Sequence, residues 1–100
     1  MKNQNNKKAN EKKYRHNKVQ QYKSKIEELL KNVDTTTLLA SKFVKFLAKY
    51  KDNDDAIRDA LLAFKEIYKD YSFYVDVKDS IIKGTCMLGM EAFFVDEYLS

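Results

Sequence analysis

One cysteine and one histidine, Cys86 and His16, are the only soft ligands in the chain. Thiol–imidazole catalysis needs the two side chains within hydrogen-bond reach. His16 sits among lysines near the N-terminus, whereas Cys86 lies in an apolar stretch that reads as helix core. Cys86 is therefore expected to pack as a small, inert hydrophobe. A structural zinc site fails on ligand count, and neither a glycine-rich phosphate loop nor a GxSxG elbow is present. The residues argue against an enzyme and imply no cofactor and no metal.

The acids Asp52, Asp54, Asp55 and Asp59 invite a calcium reading. Counted from Asp52, the EF-hand positions that require a ligand, a glycine and a glutamate hold Ala56, Ile57 and Ala63 instead. Acids at the start of a helix, where they complement its dipole, account for the cluster better. The same acids exclude the third helix as a DNA recognition helix, since its N-terminal turn would face phosphates of like charge.

Positive charge is the feature that could do chemistry. Residues 1–25 hold nine Lys/Arg against Glu11 alone, and residues 26–100 hold ten against fourteen Asp/Glu. The first segment is thus +8 and the rest −4, which sums to the net +4. Many lysines with few arginines and no proline look like AT-rich coding, which explains abundance but not clustering. Lys12, Lys13, Arg15, Lys18, Lys23 and Lys25 are the candidate nucleic-acid contacts, with Tyr14 and Tyr22 interleaved for base stacking. Lysine is a point charge, poorly suited to bidentate base reading, so the contact expected is to phosphate and without sequence preference. Six such contacts predict a slope of about −5 in log affinity against log salt on duplex DNA. Lys42, Lys45 and Lys49 extend the patch if the second helix lies beside the first.

These residues must be carried by helices. Two glycines and no proline in 100 residues leave few sharp turns, so the spacing predicts one all-α domain, a small bundle of three to four helices over 12–100. Residues 1–11 are too polar to offset the entropy of ordering and read as a disordered basic arm. Val19, Tyr22, Ile26, Leu29 and Val33 recur at three and four and place a first helix over 12–33. Asp34 or Thr35 caps a second, whose buried face holds Leu39, Phe43, Phe46, Leu47 and Tyr50. Ile57, Ala60, Leu61, Phe64, Ile67, Tyr68 and Tyr71 line a third over 53–71. The segment 72–77 alternates like a strand but has no partner, and reads as a helix continuation or a bend.

A fourth helix is expected over 77–98, its face of Val77, Ile81, Leu88, Ala92, Val95 and Leu99 widened by Ile82, Cys86 and Phe93. Gly84 and Gly89 inside it imply close packing on a neighbour, or a break near residues 83–85. Met87, Phe94 and Tyr98 lie away from that face and are the candidate protein interface.

No apolar run approaches the length of a membrane span, and a lone cysteine fits a reducing compartment. The expectation is a cytoplasmic, regulatory, non-enzymatic protein with no membrane contact. It docks on a protein partner, a second copy of itself being one candidate, and touches nucleic acid with its basic arm. The alternative is a purely protein-binding inhibitor or immunity-type module, of bacterial or phage and mobile-element kind, whose arm only solubilises.

Overall fold

Thr35 begins the first turn that can be followed from side chain to fold. Its hydroxyl accepts a hydrogen bond from the Leu38 amide at 3.2 Å, and so satisfies one of the orphan donors of the helix that follows. The computed structural model describes residues 2–100, with side chains from His16 onward. The arm expected to be disordered, residues 1–11, lies outside the residues described with side chains.

Five helices carry the chain: α1 (Lys2–Leu29), α2 (Thr36–Ala48), α3 (Asp54–Tyr68), α4 (Tyr74–Met87) and α5 (Ala92–Leu99). No strand occurs among the described residues. The fold is all-α as expected, but it has five helices where three to four were predicted.

The extra helix comes from Gly89. At φ +89° it occupies the left-handed region, which only glycine enters without steric cost. The Gly89 amide donates to the Cys86 carbonyl and the Met90 amide to the Thr85 carbonyl, both at 3.0 Å. That pair of bonds is a Schellman cap, and it ends α4 inside the helix predicted for 77–98. The segment 72–77 resolves as a bend followed by helix. Tyr68, Tyr71 and Tyr74 are joined by successive turn hydrogen bonds of 3.0 Å, and α4 starts at Tyr74.

Core and sequence agree most closely in α2, where Leu39, Phe43, Phe46 and Leu47 are all buried. Phe43 stacks on Phe64 of α3 at 4.3 Å between ring centroids. In α3, Asn53 caps the helix by accepting from the Ala56 amide at 3.1 Å, and Asp54 and Asp55 stand in the first turn. The acidic cluster thus begins a helix, as its composition suggested. α1 docks on α3 and α2 on α4, while α5 closes against α3 and α4.

Several sequence expectations fail here: Tyr71 and Ala92, read as buried, are exposed, and three further residues depart for reasons that can be traced. Just past the end of α1 the buried leucine is Leu30, 4% exposed, and not Leu29, 38% exposed; eleven residues from Val19 make about three whole turns, which returns the chain to the same face at Leu30. Cys86 is exposed, because the buried face of α4 runs Tyr74, Val77, Ile81 and Thr85 and Cys86 lies one position off it. Phe93 is 80% exposed for a related reason. The break at Gly89 resets the helical phase, and α5 turns in Val95 and Leu99 instead.

Gly84 does mark a close approach. A Cβ there would stand 2.9 Å from Cγ2 and 3.3 Å from Cγ1 of Val44 on α2. Replacing glycine by alanine in a helix gains about 1 kcal/mol, but the β-branched Val44 has little rotamer freedom to yield, and overpacking costs about 1–3 kcal/mol. Gly84→Ala should therefore lower stability by roughly 1 kcal/mol, and the same change in a Val44→Ala background should raise it. Thermal melts of the four proteins in the cycle read the sign directly.

The far ends of α4 and α5 are clasped by Tyr74, whose hydroxyl donates to the Leu99 carbonyl at 2.5 Å. Burial pushes the Tyr74 phenol up to about 12 from an ordinary 10.0. Burial also raises Tyr68, helped by Tyr71 and Glu27. The folded protein holds these protons more tightly than the unfolded chain. The Tyr74 contribution to stability is complete below about pH 10 and is lost as pH rises toward about 12, and Tyr68 acts in the same direction. Tyr74→Phe should cost about 1 kcal/mol at neutral pH by leaving a buried carbonyl unpaired. It should also flatten the alkaline fall in stability, which denaturant melts between about pH 9 and 11.5 would show.

Candidate nucleic-acid interface

α1 is held on two flanks. On one, the Gln20 side-chain amide donates to Glu66 of α3 at 3.4 Å. On the other, Tyr22 meets two rings edge-on, Phe46 in the last turn of α2 at 6.3 Å and Tyr50 just beyond it at 5.6 Å. α1 thus touches the C-terminal end of α2 through this side chain, while its main packing partner is α3.

The two rings at that seam have the same sequence surroundings. Tyr22 is preceded four residues earlier by Lys18 and followed three residues later by Lys25; Phe46 is preceded by Lys42 and followed by Lys49 at the same intervals. Residues three and four apart are neighbours on a helix surface, so four lysines frame one aromatic contact. The Lys25 ammonium stands 5.4 Å from the centroid of the Tyr22 ring, in cation–π range. Lys45, between Lys42 and Lys49 on the same stripe, is exposed. α4 packs on the other side of α2, at Val44, and leaves the lysine flank uncovered by that helix.

The six basic residues singled out in the sequence are not equivalent. The side chains of Lys12, Lys13 and Arg15 lie outside the described residues. Lys18 lines a cleft of about 340 Å³ with Tyr22, Asp55, Arg58 and Asp59, so carboxylates stand close to it. Lys23 is on the opposite flank of α1, in a groove of about 460 Å³ shared with Lys31, Glu27, Glu66 and Tyr71. Of the described members, Lys25 alone lines neither carboxylate-bearing groove.

Asp59 has a structural part. Its side chain is 9% exposed and its Oδ1 lies 3.5 Å from Arg58 Nε, while Arg58 Nη1 reaches Asp55 at 3.3 Å. The longer contact is an ion pair but too long for a good hydrogen bond, and neither atom has another hydrogen-bond partner among the described residues. Among the described residues no group of three or more His, Cys, Asp or Glu is arranged to hold a metal ion. Among them too, no helix is long and apolar enough to cross a membrane.

The candidate protein interface divides as well. Met87 is 89% exposed. Phe94 and Tyr98 are half-buried, packed against the core and against each other at 5.3 Å, edge to face. The exposed aromatic at this end is Phe93, which sequence periodicity assigned to the core across a helix break it did not place.

The chain matches no protein-family model, no curated protein and no solved structure.

Proposed function

We propose that this is a small non-enzymatic helical accessory protein that contacts nucleic-acid phosphates through lysines of α1 and α2 and docks on a protein partner through another face. What supports the reading is the Tyr22–Phe46 contact at 6.3 Å, with Lys25 against the Tyr22 ring and Lys42 and Lys49 one turn to either side of Phe46. Charges gathered from two helices suit a polyanion better than a solubilising role, for which scattered lysines serve as well. Lysine in place of arginine favours phosphate contact over base reading.

Binding of generic duplex DNA and RNA across a salt series from about 50 to 200 mM tests this reading, because each phosphate contact releases counterions. The arm cannot simply be cut away at residue 25, since Val19 is buried and Tyr22 packs on α2. Point substitutions must replace truncation. Affinity that falls steeply with salt supports the reading. No affinity at about 50 mM, where screening is weakest, favours a purely protein-binding inhibitor or immunity-type module. The exposure of Met87 and Phe93 is the observation on the side of that second reading.

A further inference from the structure

At the end of the molecule formed by the α2–α3 loop and the α4–α5 turn there is a cleft of about 380 Å³ with an apolar floor of Ile57, Met90 and Phe94. Its rim carries Asp52, Asp54 and Glu91 against Lys51, a local balance of three negative charges to one positive. None of the three carboxylates is ion-paired with a described basic residue. The turn forming one wall is bounded in the chain by Met87 and Phe93, the two most exposed large apolar side chains among the described residues, at 89% and 80%. Large apolar groups left in water beside a concave, charged rim are the composition of a protein-docking surface.

We propose that this cleft docks a basic amphipathic segment of a partner protein, its apolar anchor entering over Ile57, Met90 and Phe94 and its Lys/Arg residues meeting Asp52, Asp54 and Glu91. The inference rests on the docking half of the proposed function and is independent of the nucleic-acid half, since these carboxylates repel phosphate. Met87 and Phe93 do not line the cleft itself; exposed at the two ends of the turn, they offer the bound segment further apolar contact. Each apolar side chain fully buried in this way contributes about 1.5–3 kcal/mol, while the rim sets the sign of charge accepted.

The test titrates the full chain, labelled with ¹⁵N, with a synthetic amphipathic Leu/Lys peptide of about 14 residues, and with its Leu/Glu counterpart. Saturable shifts confined to residues 51–57 and 87–94 are expected with the Leu/Lys peptide alone. Phe93→Ser should weaken binding about tenfold, roughly 1.4 kcal/mol, without moving the melting temperature, because the ring is exposed. Asp52→Asn, Asp54→Asn and Glu91→Gln together should flatten the salt dependence, whereas Asp76→Asn with Asp79→Asn, on exposed α4 positions, should not. Equal binding of the Leu/Glu peptide, shifts spread over the surface, or no saturation would overturn the proposal. So would the same shifts appearing with protein concentration alone, which would make the occupant a second copy. Peptide and DNA titrations of the unsubstituted chain and of Phe93→Ser keep the two readings apart: the substitution should weaken the peptide and leave DNA affinity at its unsubstituted value, and absence of DNA affinity from both proteins would count against the nucleic-acid reading alone.

Discussion

Exchange of Lys25, Lys42, Lys45 and Lys49 for glutamine in one protein should lower duplex affinity by roughly a thousandfold at about 0.1 M salt and reduce the salt slope by three to four units. Each lysine that neutralises a phosphate contributes about 0.9 of slope. Four of them on one surface therefore account for most of a weak, non-specific affinity. The fold should survive, because Lys25, Lys45 and Lys49 are exposed and Lys42 half-exposed; relief of mutual repulsion should leave the melting temperature unchanged or slightly higher. Lys23→Gln is the internal comparison. It stands on the other flank of α1 beside Glu27 and Glu66, and should change the slope less than Lys25→Gln. Fluorescence anisotropy with one labelled duplex measures all of these. Equal effects at Lys23 and Lys25 would remove the seam between α1 and α2 from the mechanism.

The second large effect concerns the core. Phe64 is wholly buried and contacts three other rings: Phe43 at 4.3 Å, Tyr68 at 4.7 Å and Tyr74 at 6.3 Å. It thereby joins α2, α3 and the start of α4. Phe64→Ala should cost about 3–5 kcal/mol, from lost transfer free energy and from a cavity that three helices cannot collapse together. For a domain of this size that is a fall of roughly 15–30 °C in melting temperature. Phe64→Leu, which keeps most of the volume, should cost less than half as much. Circular dichroism melts discriminate the two. A loss below about 1.5 kcal/mol for the alanine variant would mean that the ring cluster is not the centre of the fold.

The helices were legible because apolar residues recur at three and four, most clearly in α2 and α3, where the caps Thr35 and Asn53 are also of the right chemical type. What periodicity could not carry was phase across a break. Gly89 was visible as a weak point, but its positive φ depends on the turn that α5 makes against the body. Without that turn Phe93 reads as core, while Leu29 reads as buried in place of Leu30 because a strict three-and-four spacing drifts from the true helical repeat over eleven residues. The candidate site shows the same limit. Each lysine was visible, yet the pairing of Tyr22 with Phe46 depends on how two helices meet, and that contact divides Lys25 from Lys23. The matching intervals of lysines around Tyr22 and Phe46 were a signal present in the chain from the start.

The order in which the helices pair bears on how the chain acquires its structure. α1 rests chiefly on α3 and α2 on α4, so each skips its immediate successor and waits for the element beyond it. Val19 and Ile26 find the core only when α3 is present, and the α2 surface around Val44 is met only once Gly84 of α4 has been reached. Such interleaving lengthens the loops that must close before burial is rewarded, and slows folding relative to a bundle of sequential hairpins. During synthesis the apolar stripes of α1 and α2 are exposed together, and they are covered from the C-terminal half inward.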